Sequence, residues 1–128
     1  MTVNIIVGAR FNAGLTAKVL LENNFSFKVY SSSPRKYWSL PSQNFKFVPM
    51  PMLIANRALG IPRPALLKEL DARIFDLMTS RLIEHKEILH GWASFCRMSG
   101  ALQKKRGGAL ILDRACPHIL YQCEQLQL

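Results

Sequence analysis

The chain has 128 residues and a mass of 14.5 kDa, with 17 Lys and Arg against 8 Asp and Glu, a net charge of +9 and a pI near 10.0. That length fits one domain, and a composition of 49% hydrophobic and 20% charged residues supplies a core and excludes wholesale disorder. No apolar run approaches the ~20 residues that a membrane-spanning helix needs, and the opening MTVNIIVGAR has neither the basic flank nor the cleavage site of a secretory signal.

The run Val3 to Val7 (VNIIV), closed by Gly8, predicts a first strand buried on both faces, because helices cover both sides of a parallel sheet. A polar turn, Ala9 to Asn12, leads into a helix over 13–23 with Leu15, Val19 and Leu20 on one face. Phe27 to Tyr30 (FKVY) alternates as a second strand, which completes a βαβ unit. From Ser31 to Pro64 the chain holds six of its seven prolines, and Phe45 to Val48 (FKFV) is the one clear strand there. Beyond Pro64, Leu66, Leu70, Ile74, Leu77 and Met78 repeat at helical spacing up to Leu82. Glu87 to His90 reads as a strand, and Gly91 to Arg106 as a helix carrying Phe95, Met98 and Leu102. Gly107 and Gly108 stop that helix, and Ala109 to Asp113 (ALILD) forms another strand. A last helical segment starts near Pro117, and the sequence ends within it.

This alternation predicts an α/β domain with a mostly parallel sheet of about five strands and helices on both faces. Ligands of such sheets bind beyond the carboxyl ends of the strands. Function is therefore expected in Gly8–Asn12, Ser31–Arg35, His90–Ser94 and Asp113–His118. Gly8 permits close backbone approach, and the helix after it offers free N–H groups to an anion. An ordinary strand-to-helix turn has the same sequence features. His90 is either a hydroxyl donor or a core histidine, and Trp92 either a flat platform for a sugar or lipid or a packing residue. Arg114 can grip a phosphate bidentately, and His118 lies near a helix start. Cys116 and His118 stand two apart, a spacing that gives no catalytic pairing on a helix. The three cysteines, Cys96, Cys116 and Cys123, are odd in number and lack metal-ligand spacing, which favours a reducing, cytoplasmic setting over a disulfide framework.

Charge is uneven. Positions 23–68 carry Lys28, Arg35, Lys36, Lys46, Arg57, Arg63 and Lys68 with no acid, interleaved with the apolar VPMPMLIANRALGIPRP. Such a block suits an anionic membrane surface, or it is a solvated basic face. The sequence has no nucleic-acid-binding module or aromatic stacking motif, which argues against nucleic acid.

The strand-ending His90-Gly91-Trp92, the ALILDRACPH segment from Ala109 to His118, the opening IIVGARFNAGLTAKVLLENN and the later VYSSSPRKYW together resemble the amino-terminal domain of glycosyltransferase family 4. The resemblance runs over essentially the whole chain. It implies one Rossmann-like half of a GT-B enzyme over 1–128, incomplete at its carboxyl end relative to the family and without the carboxyl-terminal donor domain. It also implies sugar transfer with retention from a nucleotide-sugar donor, without a metal or other cofactor. Carried over, Gly8, Arg10 and Asn12 lie in the turn beside the donor diphosphate and acceptor, with Asn12 where close relatives have histidine. His90, Gly91, Trp92 and Arg114 line the same cleft, and His118 contacts the transferred sugar. The expected partners are a separate donor-domain chain or a second copy of this chain, with peripheral attachment to the inner face of a membrane through 23–68. On this view the isolated half is inactive or partner-dependent, since half of the transition-state contacts would be missing. The alternative is a non-catalytic Rossmann-like module that docks on a membrane surface or a protein.

Overall fold

The computed structural model describes residues 1–8, 12–85 and 87–113. In chain order the elements are β1 (Thr2–Val7), α1 (Ala13–Glu22), β2 (Ser26–Ser31), β3 (Phe45–Phe47), α2 (Pro51–Leu59), α3 (Ala65–Leu82), β4 (Ile88–Trp92), α4 (Arg97–Lys105) and β5 (Ala109–Asp113). The strands form one all-parallel sheet in the order β3-β2-β1-β4-β5, a Rossmann-like α/β arrangement.

Strand parity divides the core in two. Ile5 and Val7 of β1 face α1, where they pack with Ala13, Ala17, Phe27 and Val29. Ile6 points the other way and joins Tyr30, Leu89, Met50, Phe75 and Cys96 beneath α2, α3 and α4. Phe95 touches both clusters and meets Phe75 edge-on, with ring centroids 5.8 Å apart. Short 3-10 turns at Arg35–Tyr37 and Ser42–Asn44 bridge β2 and β3, and Trp38 and Leu40 beside them close the α1 layer.

The structure differs from the expected elements in three respects. A helix, α2, occupies 51–59 within the proline-rich stretch; Pro51 opens it, and Gly60 closes it with a left-handed φ of 68°. The fourth strand runs on through Trp92, and α4 begins only at Arg97, because the residues from Ile88 to Trp92 pair with β5 throughout. The buried faces of α1 and α3 are also not their most apolar ones. In α1, Ala13 and Ala17 are buried while Leu15 is 70% exposed, since small side chains let the helix lie close to the sheet. In α3 the buried positions are Asp71, Phe75, Asp76, Thr79 and Ser80, and Leu66 is 76% exposed.

The polar face of α3 follows from how its neighbours start. The N-cap residues of α2 and α4 are Met50 and Cys96, and neither helix has a side-chain cap of its own. Their free N–H groups need acceptors. Asp71 supplies them for α2, accepting from Met52 N and Leu53 N at 2.9 Å each. Asp76 does so for α4, accepting from Met98 N at 2.6 Å and Ser99 N at 3.0 Å. Asp71 also takes Arg63 through Nε and Nη2, both at 2.9 Å, and Asp76 takes the Ser99 hydroxyl at 2.9 Å. Burying a carboxylate is costly unless it is fully hydrogen-bonded, and both are.

Asp71→Ala should lower unfolding stability by about 3 kcal/mol, since it strands Arg63 and two helix N–H groups. Asp76→Ala should cost about 2 kcal/mol, near the upper range for a lost cap. Urea denaturation of the two variants checks both values, and the loss from Asp71→Ala should be the larger.

Candidate functional site

Strand order determines where a ligand can enter. From β1 the chain steps to β2 and β3 on one side, then returns through α2 and α3 to place β4 on the other side of β1. α1 therefore lies on one face and α2, α3 and α4 on the other. At such a reversal, the connections leaving adjacent strands diverge and leave a crevice at the carboxyl ends. Gly8 follows β1, and Ala93, Ser94 and Phe95 follow β4; all four line a recess of about 1070 Å³. A Cβ at Gly8 would collide with the Phe95 ring and the Met50 methyl, so only glycine fits this rim.

The recess has an apolar floor of Met50, Leu53, Phe95 and Met98. Around it stand Arg57 from α2, Arg63 from the α2–α3 connection, Lys68 and Arg73 from α3, and Arg97 from α4. Arg73 pairs with Glu69 at 2.7 Å, and Arg63 is held by Asp71. Arg57, Arg63 and Lys68 belong to the acid-free block apparent in the sequence. Arg73 and Arg97 lie outside it, and only the packing of α3 against α4 brings them to the same opening.

A second cluster occupies the α1 face. Register aligns Ile5, His90 and Ile111 across three strands, and Trp92 with Asp113, so His90, Trp92 and Asp113 share the face of Ile5. The Trp92 indole N–H donates to Asn12 Oδ1 at 3.1 Å, and the Asn12 side chain consequently makes no cap to α1. Trp92 is 2% exposed and belongs to the core. The His90 ring stacks on it with centroids 4.6 Å apart and planes inclined by 17°. His90 Nε2 lies 3.6 Å from Asp113 Oδ2, beyond hydrogen-bonding distance, and makes no hydrogen bond among the described residues.

Of the residues singled out from the sequence, Asn12, His90 and Trp92 are thus brought together with Asp113, while Gly8 lies at the recess on the opposite face. Gly91 is buried on that opposite face as well, where a Cβ would collide with the Cys96 thiol; its role is to let α4 approach the sheet. Trp92 packs inside the domain and presents no open face to a sugar. Arg10, Arg114 and His118 lie outside the described residues. Among the described residues no three His, Cys, Asp or Glu side chains gather to hold a metal, and no helix is long and apolar enough to cross a membrane.

Cys96, the N-cap residue of α4, is buried, with its thiol donating to Trp92 O at 3.3 Å. Burial, and then the nearby Asp76 carboxylate, push its pKa up to about 12. Since the folded form holds the proton more tightly than the unfolded one, any stability linked to this group is complete below the unfolded thiol pKa of ~8.5. It declines as pH rises from there towards the folded value. Cys96 should therefore resist iodoacetamide at pH 8 in the folded protein and react promptly in urea, as read by peptide mass spectrometry at that residue.

Comparison with known proteins finds no matching family model, no matching curated protein and no matching solved structure. What stands established is an α/β domain with a five-stranded all-parallel sheet and a recess at its β1/β4 reversal.

Proposed function

We propose that this chain is the acceptor-side half of a retaining glycosyltransferase that uses a nucleotide-sugar donor. The observation that carries the reading is the recess at the β1/β4 reversal, with Gly8 on its rim and a volume of about 1070 Å³. That is ample for a ligand the size of a small glycan or glycolipid headgroup. The HGW and DRACPH segments support the same reading from the sequence. The acceptor lies over Gly8 with its carbon skeleton on Met50, Leu53 and Phe95. His90 and Asp113 stand near the sheet edge on the opposite face. Donor and leaving diphosphate belong to a second Rossmann-like domain.

Ala101 is exposed and lines the recess, so a large side chain there fills the opening without entering the core. Calorimetric titration with a panel of oligosaccharides and glycolipids should find acceptors that bind the parent chain. Ala101→Trp should weaken them at least tenfold, or by about 1.4 kcal/mol, with no change in melting temperature. A panel without binders, or equal binding by Ala101→Trp, sinks the reading.

A non-catalytic module peripheral to a cytoplasmic membrane surface is the second reading. It is favoured by the exposed Leu59, Ile61, Leu66 and Leu70 beside Arg57 and Lys68. Vesicles containing phosphatidylserine should then bind the chain while neutral vesicles do not. Each charge removed should weaken binding about fivefold, and a Lys36→Glu, Arg57→Glu double variant should release the protein.

A further inference from the structure

The charges around the recess do not balance. Glu69 is engaged by Arg73, and Asp76 is spent on the N-terminus of α4. Arg63 is already paired with Asp71, which leaves Arg57, Lys68 and Arg97 without a carboxylate or other partner among the described residues. They come from α2, α3 and α4 respectively, so no shared helix face explains their convergence. The backbone donors at the starts of α2 and α4 do not compete for the role, because Asp71 and Asp76 close them. Three unpaired cations over a floor of Met50, Leu53, Phe95 and Met98 give the cleft a net positive charge beside low-dielectric walls, a shape that concentrates anions.

We infer that the recess binds a phosphate ester carried on an apolar body, with Arg57, Lys68 and Arg97 on the phosphate and the apolar floor against the chain. The two guanidinium groups can each meet two phosphate oxygens, and Lys68 adds a compact charge. In calling this ligand the sugar acceptor the inference rests on the glycosyltransferase reading; the binding itself does not. It narrows the acceptor from any glycan to an anionic amphiphile.

Calorimetry on the 128-residue chain tests it with three probes: dodecyl phosphate below its micelle concentration, neutral dodecyl maltoside, and inorganic phosphate. Dodecyl phosphate should bind more tightly than either of the others. Arg57→Ala, Lys68→Ala and Arg97→Ala should each weaken it about tenfold, the equivalent of a lost charge-assisted contact. Lys46→Ala removes the same charge from the exposed edge strand β3, outside the recess, and should weaken it less than about twofold. All three recess positions are exposed and, among the described residues, unpaired, so the variants should melt with the parent.

Equal losses from Lys46→Ala, or no loss from the three recess variants, would overturn the site. Tight binding of dodecyl maltoside that ignores the variants would overturn its anionic character. Inorganic phosphate binding as tightly as dodecyl phosphate would overturn the apolar body and assign a free phosphate. Sugar transfer is read separately. Variant-sensitive dodecyl phosphate binding in a chain that binds no glycan keeps the phosphate site and removes the glycosyltransferase reading. Glycan binding lost in Ala101→Trp but untouched by the three alanines does the reverse.

Discussion

Two buried carboxylates on one helix hold the layer that forms the recess. Asp71 and Asp76 are five residues apart on α3, which separates them by about 140° around its axis, so each faces a different neighbour. Asp71 closes the start of α2 and Asp76 the start of α4. Helices whose own N-cap residues are Met50 and Cys96 have no local means of satisfying their first N–H groups. The acceptors come from α3 instead, and the three helices become one mechanically linked unit over Ile6, Tyr30 and Leu89.

This arrangement has a chemical consequence. The start of a helix is a common seat for anions, since its N–H groups are free and its dipole is positive there. Here the starts of α2 and α4 already hold carboxylates from within the chain. Recognition of a negative ligand there falls to side chains, and among the described residues around the recess Arg57, Lys68 and Arg97 are the ones left with charge to offer. Arg63, held by Asp71 on the same wall, ties the α2–α3 connection in place and so helps set the position of the groups around it.

The opposite face of the sheet is organised by packing. Trp92 is bonded to Asn12 and stacked on His90, which joins the end of β4 to the start of α1 across the end of β1. Gly91 between them lets Cys96 press against the sheet. One tripeptide, His90-Gly91-Trp92, thus serves both layers, with alternate residues facing opposite sides as a strand requires.

The sequence by itself determined the α/β class, the five strands within a residue or two, and the glycine stop after α4, where Gly107 adopts a φ of 80°. These features are local: short apolar runs mark buried parallel strands, and a left-handed residue ends a helix wherever it occurs. Gly8 and His90 were also visible as residues at strand ends, and the cations of positions 23–68 as a block without acids. The tertiary structure decided the rest. Helix α2 escaped the reading because its N-cap is a methionine and its capping acceptor, Asp71, is nearly twenty positions away. The buried faces of α1 and α3 escaped it because close approach of Ala13 and Ala17, and the capping needs of two other helices, outweigh the apolar periodicity of Leu15, Val19, Leu66 and Leu70. The strand order placed β4 beside β1, and with it Gly8 beside Phe95; Arg73 and Arg97 joined Arg57 only through the packing of α3 on α4. No spacing along the chain encodes such contacts, because they depend on which long-range pairings satisfy buried polar groups and fill the core together.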